Sequence, residues 1–491
     1  MLFLGIDLGT SSVKVAVVDG FTGKTLSTVQ FPEAEAVIFS EKPGWAEQNP
    51  SQWWSDVQQC ILKSHASKKY NPRDITAIGI SYQMHGLVVV DKHGEVLRNS
   101  IIWCDSRAVI LGEKAFQTIG KEKCLTHLLN SPGNFTAAKL AWVKENEPTL
   151  YGKIDKIMLP GDFIAMKLTG SITTSISALS EGVFWDFKDN ELSKDIFRHF
   201  QFSTSLIPEI KNVFDSHGII SQSAAVHLQL SKTVVVSYKA GDQPNNALSL
   251  NVLNPSEVAA AAGTSGVIYS VSDLLVKDKE SRVNTFAHVN HSPDKVRTGV
   301  LLCINGTGSV NRWVRQIINP SFSYREINQQ AGSVSIGSDG VRIIPFGNGA
   351  ERMLHNQIIG AHVLNIDLNK HSVAHIYRAT QEGVACAMRY GLDIMRSNGI
   401  HPAVIKAGNA NMFLSRVFAR SFVNVTQVPV ELWGTEGSVG AALGAGIGVG
   451  FYSKPGEAFI KRKAAEVIEP ADKESSEELY QSWKRDLERF I

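Results

Sequence analysis

A short glycine-containing string occurs twice in this chain of 491 residues, near the start of each half. The first copy is Gly9-Thr10-Ser11-Ser12-Val13, and the second is Gly263-Thr264-Ser265-Gly266-Val267. Each copy follows an apolar run typical of a buried strand. A Gly-Thr-Ser turn after a strand exposes backbone N–H groups and small hydroxyls, which phosphate oxygens require. The repeat therefore predicts a duplicated fold in which two turns hold one nucleotide's phosphates from both sides.

The composition is that of an ordinary globular protein, with 43% hydrophobic and 20% charged residues. A chain of this length exceeds one core and predicts two or three domains. The formal net charge is only +2, so we expect neither a nucleic-acid partner nor a membrane partner. The five cysteines are odd in number and widely scattered. We therefore expect reduced thiols in a cytoplasmic protein rather than disulfides or a metal knuckle.

Alternating strand and helix signals predict an α/β protein with two domains. The second half repeats the opening order of strand, turn and strand. Asn254-Pro255 interrupts the pattern, so we predict domains at 1–250 and 251–491. We also expect a helix at 245–253, and a charged helix from Lys461 onward whose apolar stripe packs on the body.

Asp7 is the first candidate catalytic residue. It ends the first apolar strand and comes directly before the first glycine turn. A carboxylate at this position can hold Mg²⁺ through water while the N–H groups of the turn meet phosphate. The alternative is that Asp7 only organises a tight turn, and the second copy of the turn favours the functional interpretation.

Asp242 is the second candidate, in the string Gly241-Asp242-Gln243-Pro244-Asn245. Taken alone, an Asp before a helix is most often an N-terminal cap. Two phosphate-binding turns and the lack of a competing catalytic triad favour another role. We interpret Asp242 as a general base that takes the proton from a hydroxyl as it attacks phosphorus.

Several further segments allow two interpretations. Gly306-Thr307-Gly308 and Gly347-Asn348-Gly349 could line a cleft or be plain turns. Ala407-Gly408-Asn409-Ala410-Asn411 could let an adenine ring lie against the backbone, or could be an ordinary turn between strand and helix. Met84-His85 could be core residues. His288 and His291 are spaced like metal ligands, but no carboxylate cluster accompanies them, so we predict no metal site of that type.

In combination, these motifs resemble those of the FGGY carbohydrate kinases, within the wider actin-like, Hsp70-like and sugar-kinase group of duplicated ATPases. The resemblance runs from Gly5 to about Gly450. It implies two ribonuclease H-like domains with a cleft between them, sugar-binding first and nucleotide-binding second. The motifs that carry it are Asp7-Leu8-Gly9-Thr10-Ser11-Ser12, Gly44-Trp45-Ala46-Glu47-Gln48, Gly241-Asp242-Gln243, Gly263-Thr264-Ser265 and Glu436-Gly437-Ser438-Val439-Gly440-Ala441-Ala442.

The resemblance also implies a role for each candidate residue. Asp242 is the proton acceptor, and Asp7, with Asp242 beside it, serves the metal–phosphate end. The segment 81–88 looks like the sugar loop of family members that act on D-xylulose. The implied sugar contacts are Gln83, Met84, His85, Trp103, Asp242 and Gln243. The implied nucleotide contacts are Gly9, Thr10, Ser11, Ser12, Gly263, Thr264, Ser265, Gly306, Gly408, Asn409 and Asn411.

The activity implied by the resemblance is phosphorylation of a ketose hydroxyl by ATP with Mg²⁺, and D-xylulose is the first expectation. Family members that act on xylulose usually carry Asn where this chain has Gln243, and Gln is more like the glycerol kinases. Glycerol, ribulose or another polyol or ketose therefore stays open as acceptor. A catalytically silent sugar sensor also stays open, whereas Asp242 disfavours an actin-like or Hsp70-like ATPase that moves partners. The residues leave the oligomeric state open, with a homodimer as one alternative.

Overall fold

The computed structural model describes residues 1–491 and contains two large mixed sheets. The strands of the first sheet are β1 (Leu2–Leu8), β2 (Val13–Asp19), β3 (Thr25–Phe31), β4 (Ile75–Tyr82) and β5 (Val235–Gly241). Their spatial order is β5-β4-β1-β2-β3. The first three strands form an antiparallel meander, and β4 and β5 extend the sheet in parallel with β1.

The second sheet repeats this order. Its strands are β6 (Glu257–Ala262), β7 (Gly266–Ser272), β8 (Asn284–Ala287), β9 (Thr298–Ile304), β10 (Val404–Gly408), β11 (Val430–Trp433) and β12 (Glu466–Ile468). Strands β9, β7 and β6 form the antiparallel meander, and β10 and β11 continue it in parallel. Strands β8 and β12 are added at the two edges. The duplicated order confirms the predicted α/β class and the two sheet-containing domains.

Sixteen α-helices surround the sheets. Nine precede the end of β5: α1 (Pro50–Ala66), α2 (Val109–Ile119), α3 (Lys121–His127), α4 (Thr136–Asn146), α5 (Pro148–Tyr151), α6 (Pro160–Thr169), α7 (Ile176–Glu181), α8 (Lys194–Phe200) and α9 (Gln222–His227). Seven follow: α10 (Asp242–Ser249), α11 (Gly308–Ile318), α12 (Tyr324–Gly332), α13 (Val373–Ser397), α14 (Arg416–Thr426), α15 (Gly437–Gly448) and α16 (Lys473–Leu487). None of these helices combines the length and the apolar character that crossing a bilayer demands.

Five short strand pairs lie outside the two sheets. They join Glu47–Gln48 with Ser100–Ile101, Val88–Val90 with Lys156–Met158, Thr173–Ser175 with Glu209–Lys211, Trp185–Asp186 with Glu191–Leu192, and Arg342–Ile344 with His362–Leu364. Most of them belong to the first half, where they build a lobe beside the first sheet.

Two predicted helix boundaries were wrong. The helix predicted at 245–253 begins at Asp242, because Pro244 is tolerated in a first turn, where its missing N–H costs no helical hydrogen bond. The helix predicted from Lys461 begins only at Lys473, because residues 466–468 pair with β11 as an edge strand. Its apolar stripe does pack on the body as predicted, and the indole N–H of the buried Trp483 donates to the Ile343 carbonyl at 2.8 Å.

Helix α15 belongs to the second half of the sequence but packs on the first sheet, across β1, β4 and β5. Its glycines and alanines let the two backbones come close together. The facing strands carry glycine at the contact points, and a Cβ at Gly5 or Gly79 would overlap the carbonyl oxygens of Ser438 or Ala441. This contact fixes the start of α15 beside the end of β1, where Asp7 lies.

We expect Gly79→Ala to lower the free energy of unfolding by about 1–3 kcal/mol, because the added methyl group must push α15 off the sheet. The measurement is the melting temperature, with a decrease of several degrees expected. Gly456→Ala is the matched control, since a Cβ at this exposed helical position meets no atom within 4 Å. Equal melting temperatures for the two variants would contradict the tight packing of α15.

Candidate active site

The two glycine turns close the hairpins β1–β2 and β6–β7. In the first, the Gly9 N–H donates to the Ser12 carbonyl, so it is used within the turn. The remaining three N–H groups, of residues 10–12, make no hydrogen bond in the structure. In the second, the N–H groups of residues 263–265 are likewise unused. Each turn therefore presents three free backbone donors, as a phosphate site requires.

The second turn is held from behind by the loop before α11. The N–H groups of Gly308 and Ser309 donate to the carbonyls of Gly263 and Thr264 at 2.9 and 3.1 Å. The carbonyl oxygens of the turn are thereby occupied, and its N–H groups stay directed elsewhere. Gly306 belongs to this loop and supports the turn.

Asp7 lies at the end of β1 next to the start of α15. Its Oδ1 accepts a hydrogen bond from the Ser81 hydroxyl at 2.8 Å. Its other oxygen lies so near Gly437 that a Cβ there would approach it to 2.5 Å. Burial raises the pKa of Asp7, the hydrogen bond from Ser81 and the charge of Lys14 oppose the increase, and Glu436 adds to it.

Asp242 occupies the first turn of α10, and Gly241, not Asp242, is at the N-cap position. Asp242 therefore does not have the N-cap role, which the sequence left open as an alternative. Burial raises the pKa of Asp242 to about 7, and the negative charge of Asp7 adds to the increase. A carboxylate with a pKa near neutrality can accept a proton from a hydroxyl and release it again.

Two buried carboxylates, one of which raises the pKa of the other, form a site that suits a divalent cation. Neither Asp7 nor Asp242 has a lysine or arginine partner within ion-pair distance. The residues therefore fit Mg²⁺ held through water, the binding mode that this ion prefers.

We expect kcat/KM for the acceptor to fall about tenfold per pH unit below about pH 7. The reason is that Asp242 can accept a proton only when ionised, and its raised pKa places the loss of the ionised form there. The measurement is initial rate against pH at subsaturating acceptor. An acid limb with an apparent pKa near 4, the ordinary range of a carboxyl group, would contradict this role.

The loop that follows β4 carries Met84 and His85 to Asp242. Met84 is buried, and a Cβ at Gly241, directly before Asp242, would approach Met84 Cγ to 2.6 Å. His85 has a φ of +62°, a backbone conformation that few residues other than glycine adopt. Lys139, which is fully buried, donates to the His85 carbonyl at 2.8 Å and holds the strained loop.

The tautomer of His85 follows from its partner. Nδ1 lies 2.9 Å from the Glu181 carbonyl oxygen, which can only accept, so Nδ1 carries the proton. Burial, together with the charges of Lys139 and Arg352, lowers the pKa of His85 to about 3. The imidazole is therefore neutral, and Nε2 is a hydrogen-bond acceptor suited to a hydroxyl group.

A chain of hydrogen bonds connects the first turn with the loop after β4. The Thr10 hydroxyl donates to Gln83 Oε1 at 3.2 Å and accepts from the indole N–H of Trp103 at 2.9 Å. Gln83 in turn donates to Gln48 Oε1 at 2.9 Å, and Gln48 donates to the Thr10 carbonyl at 2.7 Å. Trp103 is half exposed. These residues hold the turn in place, and only Trp103 presents a large surface to the solvent.

The structure explains two sequence motifs through one buried arginine. Arg107 is bonded to Asp105 and Glu47, and its guanidinium lies 3.8 Å from the ring centre of Trp45. The segments 44–48 and 103–107 are thus clamped together beside the first turn. Their role in the structure is to position Gln48 and Trp103.

A cavity of about 400 Å³ begins at the second turn and extends between α11, α12, α13 and the segment 411–415 that precedes α14. Of the predicted nucleotide contacts, Gly263, Thr264 and Asn411 line it, whereas Ser265, Gly306, Gly408 and Asn409 do not. The polar wall is a chain of hydrogen bonds in which Ser415 donates to Gln381 at 2.6 Å and Gln381 donates to Asn328 at 3.0 Å. Tyr324 supplies an aromatic ring at the same cavity.

Several residues of the site were not found from the sequence. Glu181 accepts hydrogen bonds from the Tyr82 hydroxyl and the His85 N–H, at 2.7 and 3.2 Å. Glu351 accepts from the N–H groups of Asn305 and Gly306 and so holds the loop behind the second turn. Both lie far along the chain from the motifs they support, so no local pattern marks them. His288 has a core role, bonded to the Tyr269 hydroxyl and the Val252 carbonyl.

Two family models match the chain, those of the N-terminal domain of the FGGY family of carbohydrate kinases at residues 2–249 and of its C-terminal domain at 258–449. A xylulose kinase from Staphylococcus epidermidis is 30% identical over 492 residues, which covers 98% of this chain and 94% of that protein. A solved xylulose kinase from Rhodospirillum rubrum matches with a TM-score of 0.87 at 23% identity, covering 100% of this chain and 99% of that one. Plasmodium falciparum glycerol kinase with ADP matches with a TM-score of 0.89 at 20% identity, covering 100% and 98%.

Proposed function

This chain belongs to the FGGY family of carbohydrate kinases, and we propose that it transfers a phosphoryl group from ATP to D-xylulose. One observation carries the proposal. Met84 packs against Gly241, the residue before Asp242, whose pKa is raised to about 7, and each of the two glycine turns leaves three N–H groups free. The relative from Staphylococcus epidermidis, a xylulose kinase, supports the choice of sugar. We assign sugar binding to domain 1–250 and nucleotide binding to 251–491.

In this mechanism the sugar hydroxyl lies against the Asp242 carboxylate. As the hydroxyl oxygen attacks the γ-phosphorus, its proton passes to Asp242, and the O–P bond to the leaving ADP breaks. The electron pair of that bond remains on the β-phosphate. Mg²⁺, when bound, neutralises phosphate charge, and Asp7 and Asp242 would hold it through water. Little covalent work is required of the protein, so its contribution is positioning and electrostatics.

The sugar side of the cleft is suited to a neutral polyhydroxyl ligand. Nε2 of His85 accepts a hydrogen bond from a hydroxyl, and Met84 gives an apolar contact to the carbon chain. Burial raises the pKa of Glu181 well above its usual range, which favours the neutral form of this carboxyl group. Trp103, half exposed at the edge, supplies a flat surface for a sugar face.

The alternative acceptor is glycerol, which Gln243 favours by its likeness to the glycerol kinases. The glycerol kinase from Plasmodium falciparum shares the fold, but its 20% identity carries no argument about substrate. The xylulose kinase from Staphylococcus epidermidis is 30% identical over 98% of this chain, and we therefore rank xylulose first.

The test is ADP release from ATP and Mg²⁺ with D-xylulose, D-ribulose, L-ribulose, glycerol, gluconate or no acceptor. We expect the highest kcat/KM with D-xylulose, at least about tenfold above any other acceptor, which corresponds to about 1.4 kcal/mol of transition-state preference. A higher kcat/KM with glycerol or a ribulose would mean that this compound, and not D-xylulose, is the acceptor. No acceptor-dependent turnover at all would favour the silent sensor, and equal release without acceptor would favour a sugar-independent ATPase.

A further inference from the structure

Arg352 differs from every other arginine in the chain because it is partly buried and yet has no hydrogen-bond or ion-pair partner. It lies in a short 3-10 turn, Arg352–Leu354, whose other two side chains are buried. The residue is only partly exposed, yet its guanidinium makes no hydrogen bond and no ion pair. Every other arginine either has a hydrogen-bond or ion-pair partner or is exposed to solvent.

Arg352 lies near the loop after β4 and near strand β9. Its charge acts on His85, where it helps to lower the pKa of the imidazole. It is also within electrostatic range of Cys303 of β9, whose thiol donates to Asn305 Oδ1 at 3.9 Å. Asn305 belongs to the loop that supports the second turn, so the guanidinium is near the loop after β4 and near the segment that leads to that turn.

The preceding residue fixes this location. Glu351 is fully buried and accepts hydrogen bonds from the N–H groups of Asn305 and Gly306, at 3.0 and 3.2 Å. The same loop supports the second turn through Gly308. Arg352 therefore follows directly on a residue that is anchored to the loop behind the second turn.

An unpaired guanidinium that is partly withdrawn from water is unfavourable unless an anion joins it. The carboxylates of the cleft do not fill that place, since neither Asp242 nor Glu181 is bonded to it. A neutral sugar cannot supply the charge. A phosphoryl group that moves from the second turn toward the loop after β4 would pass between the two segments near Arg352, and it carries the planar oxygen arrangement that a guanidinium fork matches.

We propose that Arg352 is a catalytic residue that binds the equatorial oxygens of the phosphoryl group during its transfer. The proposal rests on phosphoryl transfer to a sugar as described above and does not depend on which sugar is the acceptor. The acceptor oxygen forms its bond to phosphorus, the bond to the β-phosphate oxygen breaks, and the proton goes to Asp242. Arg352 gains and loses no proton, and its contacts with the moving group strengthen as negative charge spreads over the three oxygens.

Because Arg352 lies outside the 400 Å³ cavity that adjoins the second turn, its removal should affect the transition state more than the ground state. We expect Arg352→Gln to lower kcat about a hundredfold, with KM for ATP and the dissociation constant of the sugar within about threefold of wild type. A second readout needs no turnover. Binding of ADP with aluminium fluoride and sugar, which imitates the group in flight, should weaken about a hundredfold, whereas binding of ADP alone should not change.

Arg485→Gln is the matched control, because Arg485 is exposed on α16 and also lacks a partner. Arg352→Lys retains the charge without the fork and should recover at least about tenfold of the lost rate. The proposal is overturned if kcat of R352Q stays within threefold of wild type, or if the whole loss appears in sugar affinity. Failure of R352K to recover any rate also overturns it. If the wild-type protein phosphorylates no acceptor, the proposed function fails and this proposal fails with it. If the wild-type protein is active and R352Q is equally active, only the proposal about Arg352 fails.

Discussion

Asp242→Asn is expected to lower kcat for sugar phosphorylation by about 10²–10⁴ while the protein stays folded. The substitution keeps the shape of the side chain at the start of α10 and removes only its ability to accept a proton. Since Asp242 is not the capping residue of that helix, the change removes no helix cap. Removal of one of two mutually repelling, buried carboxylates should leave the melting temperature equal or higher.

The measurement is kcat at saturating ATP and acceptor, together with the melting temperature. Asp273→Asn is the matched control, since Asp273 is exposed and lies at the far end of β7. The acid limb near pH 7 should also disappear from the residual activity of D242N, because the group that titrates there is gone. Turnover close to wild type would show that another group, or water, accepts the proton.

The sequence was sufficient to predict those features that depend on local patterns. The Gly-Thr-Ser turns were recognised because each hairpin turn and its two strands are consecutive in the chain, at 2–19 and 257–272. Asn49 and Pro50 are likewise a local signal of a helix start, and the structure shows Asn49 accepting from the Ser51 N–H as the cap of α1. The class of fold followed from the repetition of these local units.

Features made by contacts between distant segments could not be predicted in this way. The Gly/Ala-rich sequence of α15 does not encode that the helix returns to the first sheet, where it fixes Gly437 beside Asp7. Lys139 has no motif around it, and only the fold brings it to the His85 carbonyl. The same is true of Glu351 and Arg352, whose neighbours lie about fifty residues away in β9 and its following loop.

The predicted nucleotide contacts at 407–411 also depend on contacts between distant segments. The string 407–411 was chosen because small residues after a strand can border a base. In the structure Asn411 lines the cavity, whereas the Asn409 N–H is bonded to the Trp433 carbonyl and faces the neighbouring strand. The direction of each residue depends on how β10 pairs with β11, which the string does not encode. The contacts of these residues with a nucleotide stay predictions.

Asp7→Asn is expected to lower kcat by about 10²–10³ and to raise the Mg²⁺ concentration needed for half-maximal rate, with sugar affinity unchanged. The carboxylate would hold the cation through water at the phosphate end, whereas the proposed sugar contacts of 83–85 lie in the loop after β4. The same substitution should move the acid limb of the pH profile below about 7, because the charge of Asp7 contributes to the raised pKa of Asp242. A lower rate combined with a downward shift of the limb separates this effect from partial unfolding, which would lower the rate at every pH alike. Loss of sugar affinity with normal turnover at saturation would instead place Asp7 on the sugar side of the cleft.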